Sequence, residues 1–267
     1  MSSDDHASPS STWTFYLGTH EVGWLAREIG PLFVSHRRLA LRRRLPRAVT
    51  PWALDSGGFT ELAMHGRWRT TSAEYIEATR GYADEVGMLD WAAPMDWMCE
   101  PAMLARTGLT VEDHQRRTVG NFLELRERGP ELPYVPVLQG WTRADYERCV
   151  ALYEAAGVDL RNERRVGVGS ICRRQATAEV QEIVWALADA GLSLHGFGVK
   201  TRGLVNVAGA LASADSMAWS YRARRDEPLP GCRHRRCSNC IRYAARWRDR
   251  LLSQVHPQLR LHLARGS

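Results

Sequence analysis

Four carboxylate or amide side chains stand where apolar runs of this 267-residue chain give out. They are Asp55 in "WALDSGG" (52–58), Asp96 in "GMLDWAAPMD" (87–96), Gln139 in "YVPVLQG" (134–140) and Asp215 in "ADSMAWS" (214–220). An acid at such a position either caps the helix that follows or faces a site. Three acids and an amide sharing one site make a set with complementary uses. One carboxylate can attack a carbon centre, a second can transfer protons, and the third with the amide can read the hydrogen-bonding edge of a purine. A second cluster is local. In "GCRHRRCSNC", Cys232, His234, Cys237 and Cys240 fall within nine residues, a density of soft ligands that suits a structural, tetrahedral Zn2+ site. His256 competes with His234 for the fourth position. However, "NCIRYAARWRDRLLSQ" reads as one helix, which at about 1.5 Å per residue puts His256 about 24 Å from Cys240.

These side chains share a site only if the elements between them bring the strand ends together. Strand-like runs recur at 14–20, 32–36, 52–58, 87–96, 134–140, 165–170, 193–199 and 214–220, each ending in polar or glycine-rich residues. Amphipathic stretches lie between most of them, as at 72–86, 143–157 and 176–191. Eight alternating units predict an α/β fold with a closed (β/α)8 TIM barrel, and an open doubly wound sheet is the second choice. In a barrel the chemistry sits at the carboxyl ends of the strands. The polar residues there are His20, Ser35, Asp55, Asp96, Gln139, Gly169 with Ser170, Lys200 and Asp215. No G-x-G-x-x-G opens a helix ahead of an acidic residue, which leaves dinucleotide binding little support.

Composition narrows the class. Hydrophobic residues at 44% and charged residues at 25% are ordinary for a globular protein. No apolar run reaches the roughly 18 residues a membrane helix needs, and the acidic opening "MSSDDHASPSS" is unlike a secretory signal. Residues 1–11 therefore read as a disordered tail and the protein as cytoplasmic, so six cysteines imply no disulfide framework. The expected units are a barrel over 12–228 and a zinc-binding motif with a C-terminal helix over 229–267. The net charge of +6 is compatible with a polyanionic partner. Of the 36 basic residues only Lys200 is a lysine, and arginines cluster at 36–47, 221–225, 233–236 and 242–250. Such clusters serve either as phosphate contacts or as a solvated surface.

The ordered motifs resemble the tRNA-guanine transglycosylase superfamily of (β/α)8 enzymes. "DSGGF" (55–59) matches that family's D-S-G-G-[FY] turn. "PMDWMCEP" (94–101), "VLQG" (137–140) and "GVGS" (167–170) resemble its base-recognition stretch, its V-Q-G and its glycine-rich turn. The run 196–224, ending "DSMAWSYRAR", resembles its nucleophile strand in the archaeal version. The metal motif departs in detail: the family's C-x-C-x2-C with a distant His appears here as C-x-H-x2-C-x2-C. The resemblance covers roughly residues 13–250. The wording "DWMCEP", "GVGSICRR", "GFGVKTRGL" and "CSNCIRYAARWR" is most similar to the DpdA branch, which places 7-deazaguanine bases in DNA.

The resemblance implies a DNA-guanine transglycosylase. Asp215 would attack C1′ of deoxyguanosine and expel guanine, and Asp55 would move the proton. Asp96, Gln139 and Gly140 would hold the base together with Gly169, Ser170, Ser56 and Gly57. Arg222, Arg224, Arg225 and Lys200 would contact nucleic acid, Lys200 serving either there or in a plain ion pair. Zn2+ would be structural, the incoming base a 7-deazaguanine such as 7-cyano-7-deazaguanine (preQ0), and a helicase or other DNA-modification subunit the partner that opens duplex DNA. The same chemistry on tRNA, as in queuosine or archaeosine enzymes, is the nearest alternative, though the chain leaves no room for archaeal RNA-binding appendages. A catalytically inactive nucleic-acid-binding subunit is the other, and the presence of both Asp55 and Asp215 counts against it.

Overall fold

The computed structural model describes residues 13–172, 174 and 177–263, and the expected tail over 1–11 lies outside them. Each of the eight apolar runs carries a strand: β1 Thr14–Thr19, β2 Leu32–Ser35, β3 Trp52–Asp55, β4 Leu89–Ala92, β5 Val137–Leu138, β6 Val166–Val168, β7 Leu194–Gly196 and β8 Ser213–Ser216. All pair in parallel in the order β4-β3-β2-β1-β8-β7-β6-β5. The order never reverses, so the sheet lacks the switch point of a doubly wound fold. It curls instead, the last strand pairing with the first through Tyr16 opposite Asp215. Its two outer strands approach through one parallel bridge, Ala92 with Tyr134, where Ala92 N–H donates to Pro133 O at 2.9 Å.

Side-chain alternation sorts the two faces. Phe15, Leu17, Leu32, Val34, Trp52 and Leu54 point outward into a core shared with the helices, among them Tyr75, Phe122 and Tyr153. Each large apolar side chain so buried contributes roughly 1.5–3 kcal/mol. Tyr16, Phe33, Ala53, Trp91, Ala93 and Val135 point inward, and Phe197 packs on them. Trp91 and His195 meet edge to face with ring centroids 4.5 Å apart, and His195 meets Phe197 at 4.8 Å. These rings plug the middle of the curled sheet, so a cavity can open only above them.

The crossover helices start where their sequences say they should. Helices Ser72–Glu85, Val111–Arg128 and Arg143–Ala155 each open on a threonine capping box, Thr71 with Glu74, Thr110 with Asp113 and Thr142 with Asp145. Such a cap adds about 1 kcal/mol and fixes where the strand-to-helix loop ends. The final helix, Ile241–Leu263, runs unbroken past His256 with Pro257 inside it. Its Trp247 ring lies 6.2 Å from that of Phe15, and Tyr243, Ala244, Leu251 and Val255 join the outer core. Among the described residues no helix is long and apolar enough to cross a membrane.

Candidate active site

A cavity of about 550 Å³ opens at the carboxyl ends of the strands, and Asp55, Asp96, Gln139, Gly169, Ser170 and Asp215 all line it. His20 and Ser35 line it as well, so seven of the eight strands or the segments just beyond them contribute polar groups to one mouth.

Asp55 is the last residue of β3. Gly57 follows in the left-handed region at φ +80°, and its N–H turns back to donate to Asp55 Oδ1 at 3.0 Å. A side chain at 57 would strain that backbone and press on Arg37, where a Cβ would stand 2.8 Å from Cγ. Glycine there lets the chain turn sharply enough to donate to the acid it has just passed. Burial raises the Asp55 pKa, the bonds from Gly57 and Ser35 oppose the rise, and the Asp215 charge adds to it.

Asp96 lies on an irregular segment beyond β4, held by groups from the helix Val111–Arg128 and from the loop that carries Trp68. Asn121 Nδ2 donates to Met95 O at 2.6 Å, Trp97 N–H donates to Thr118 Oγ1 at 2.9 Å, and Trp68 Nε1 donates to Asp96 O at 3.2 Å. Gln139 Nε2 donates to Asp96 Oδ2 at 2.6 Å, and Ser170 Oγ donates to Gln139 Oε1 at 2.7 Å. In this arrangement the amide nitrogen faces the acid and the amide oxygen faces the serine. Burial and the nearby Asp55 charge push the Asp96 pKa up to about 7. Gly169 is required at its place because a Cβ would stand 2.2 Å from Gln139 Nε2. Ser170 itself sits at φ +57°, a strained conformation for a residue with a side chain, and its Oγ accepts from Cys99 N–H at 2.7 Å.

Asp215 is the third residue of β8 and is 5% exposed. Its Oδ1 accepts from Gly198 N–H at 2.8 Å and lies 3.3 Å from His195 Nε2.

The remaining expected residues divide. Ser56 is buried and reaches Asp96 Oδ1 at 3.5 Å, but Ser56, Gly57 and Gly140 do not line the cavity. Gly140 makes room for the next helix, since a Cβ there would stand 2.9 Å from that of Asp145. Lys200, Arg222, Arg224 and Arg225 are exposed outside the lining. Arg222 pairs with Asp226 at 3.2 Å, and the Arg225 guanidinium stacks 3.9 Å from the Tyr221 ring centroid. Arg224 comes close enough to His20 to help lower its pKa, behind burial and Arg38.

Sequence reasoning passed over several lining groups. Arg37 and Arg38 belong to the basic run 36–47 and border the mouth, Arg37 pairing with Glu61 at 2.5 Å. Glu100 is a fourth acid, 4% exposed, with one oxygen 3.1 Å from Ser170 Oγ. Its signal was present in "PMDWMCEP", where it follows Asp96 by one turn's length just before a helix-starting proline.

Outside the mouth, the donor atoms of Cys232, His234, Cys237 and Cys240 all lie within 4.8 Å of one another, a set that could hold a metal ion. His234 Nε2 is 3.1 Å from Cys237 Sγ. The unbroken helix leaves His256, exposed and several turns away, outside the set.

The family model described as DpdA, DeoxyPurine in DNA protein A, matches residues 12–263. No curated protein matches the chain.

Proposed function

The chain belongs to the DpdA family, and from that premise we propose that it exchanges guanine in DNA for a 7-deazaguanine base through a covalent aspartyl-deoxyribose intermediate. The observation that carries the reading is the convergence of Asp55, Asp96, Gln139 and Asp215 on one cavity. We take the curled sheet as a (β/α)8 barrel closed at the Ala92–Tyr134 bridge, spanning 12–228, with 229–267 as a metal-binding appendage.

Asp215 attacks C1′ of the target nucleotide, and the C1′–N9 bond breaks toward guanine. The developing charge on the base is neutralised by a proton from Asp55. Burial, with a smaller contribution from the Asp215 charge, raises the Asp55 pKa and so favours its protonated form, which suits two neighbouring carboxyls to opposite roles. The deazaguanine then gives its N9 proton to Asp55 and its N9 attacks C1′, releasing the Asp215 carboxylate. Two displacements split one difficult step into two easier ones.

Asp96 accepts from the N1–H and N2–H2 groups of the purine. Gln139 keeps one Nε2 hydrogen on Asp96 and offers the other to O6. A substituent at position 7 leaves this edge unchanged, so guanine and its 7-deaza analogues fit alike. The target base must leave its stack at a cost of a few kcal/mol. Arg37, Arg38 and Arg224 around the mouth, with Lys200, Arg222 and Arg225 beyond it, hold the backbone while it does so. Cys232, His234, Cys237 and Cys240, three thiolates and an imidazole, fit Zn2+ in a structural role.

The test supplies the protein with 7-cyano-7-deazaguanine and, in parallel, single-stranded DNA, duplex DNA and tRNA, each digested to nucleosides for mass spectrometry. Deazaguanine is expected in DNA, with single strands preferred if a helicase normally opens the duplex. Incorporation into tRNA alone would move the protein to the RNA branch, and incorporation nowhere, with no covalent species, would leave a binding-only barrel.

A further inference from the structure

We infer that His195 is a positioning residue for Asp215, held as the neutral Nε2–H tautomer by a one-way hydrogen-bond chain through the barrel interior, so that Oδ1 is engaged and Oδ2 is the attacking oxygen. The inference rests on the transglycosylase reading of Asp215.

The direction of the chain follows from what each group can donate. Arg165 has only N–H groups to offer, and its Nη1 donates to Ser213 Oγ. Ser213 Oγ lies 2.9 Å from His195 Nδ1, and His195 Nε2 lies 3.3 Å from Asp215 Oδ1. An ionised carboxylate can only accept, so Nε2 carries a hydrogen. His195 is fully buried among aromatic rings, and that burial holds its pKa below the usual histidine value, which keeps the ring neutral. Nδ1 is then a lone pair, and Ser213 must donate to it. Arg165, Ser213, His195 and Asp215 therefore run in one sense from the amino end of the strands to the mouth. Gly198 N–H also donates to Oδ1, and among the described residues Oδ2 has no partner. A neutral donor steadies the carboxylate without the full ion pair that would blunt its attack. It also stabilises the charge that returns to Oδ1 when the second base displaces Asp215.

The experiment measures formation of the covalent protein–DNA species in a single turnover, together with the KM for deazaguanine. His195→Phe keeps a ring among Trp91 and Phe197 and removes both nitrogens. It should slow covalent capture by about 10- to 100-fold and leave the KM for the base unchanged. His195→Gln restores an N–H at similar reach and should recover part of the rate. Should His195→Phe fail to fold, Ser213→Ala carries the rate test, with slowing at the same step. In 15N spectra of histidine-labelled protein, the His195 resonances, identified by their loss in His195→Gln, should report a protonated Nε2 and a bare Nδ1 at neutral pH. Wild-type capture by His195→Phe, or spectra showing Nδ1–H or an imidazolium, overturns the inference. Failure of the wild-type protein to form any covalent species would instead overturn the reading of Asp215, while the spectra would still decide the tautomer.

Discussion

The cavity mouth and the Cys232–Cys240 cluster organise reactive side chains in opposite ways. The cluster draws all its donors from nine consecutive residues, and they lie within 4.8 Å of one another. A cation bound by them would add its binding free energy to the stability of this segment. The mouth draws its acids from β3, the segment after β4, and β8, elements that only the finished fold brings together. Burial raises the pKa of both Asp55 and Asp96, with the Asp215 charge adding at the first and the Asp55 charge at the second, so this region costs the fold stability once the acids ionise. Substitutions in the two regions should therefore move different observables.

The largest separation should come from Asp215→Asn, which removes the oxyanion proposed to attack and keeps the shape. Exchange and covalent capture should fall by roughly 10⁴-fold or more with no loss of melting temperature. An active Asp215→Asn protein would break the assignment of the mouth. Chelation, or Cys237→Ala, should do the reverse, lowering stability by several kcal/mol and exposing the amides of residues 229–250 to hydrogen exchange. Unchanged melting after chelation would show that the cluster is no metal site.

The smallest effect sharpens the contrast through pH. Folded Asp96 keeps its proton up to about pH 7, whereas the ordinary aspartate value is 3.8. The native state thus binds more protons across that window, and stability falls as pH rises through it. Asp96→Asn should raise the melting temperature by a few degrees at pH 8 and change it little near pH 4, while weakening base binding at both. An equal gain at both pH values would remove burial of the charge as the cause.

How much of this could be read in advance follows the same division. The candidate metal ligands fall within nine residues, and a single helix, Ile241–Leu263, was enough to separate His234 from His256. The strands announced themselves as apolar runs, and Asp55, Gln139 and Asp215 stood at or near their ends. Asp96 was read as the end of the run 87–96, and the family motif marked the same residue, although the strand stops at Ala92 and Asp96 lies beyond it on irregular chain. His195 was hidden inside "SLHGFGV", where alternation shows that it points inward but not that Asp215 lies across the next strand. Gly140, marked by the likeness of "VLQG" to the family's V-Q-G, does not line the cavity, and its missing side chain makes room for Asp145 and Tyr146. Contacts made across the sheet leave no spacing in the chain to betray them.

The close approach of Gly169 to Gln139 bears on ancestry as well as on packing. Any side chain at 169 would meet the Gln139 amide, so enlarging the first position displaces the second from its bonds to Asp96 and Ser170. Positions 139 and 169 should therefore change together: relatives that carry a side chain at 169 should also differ at 139.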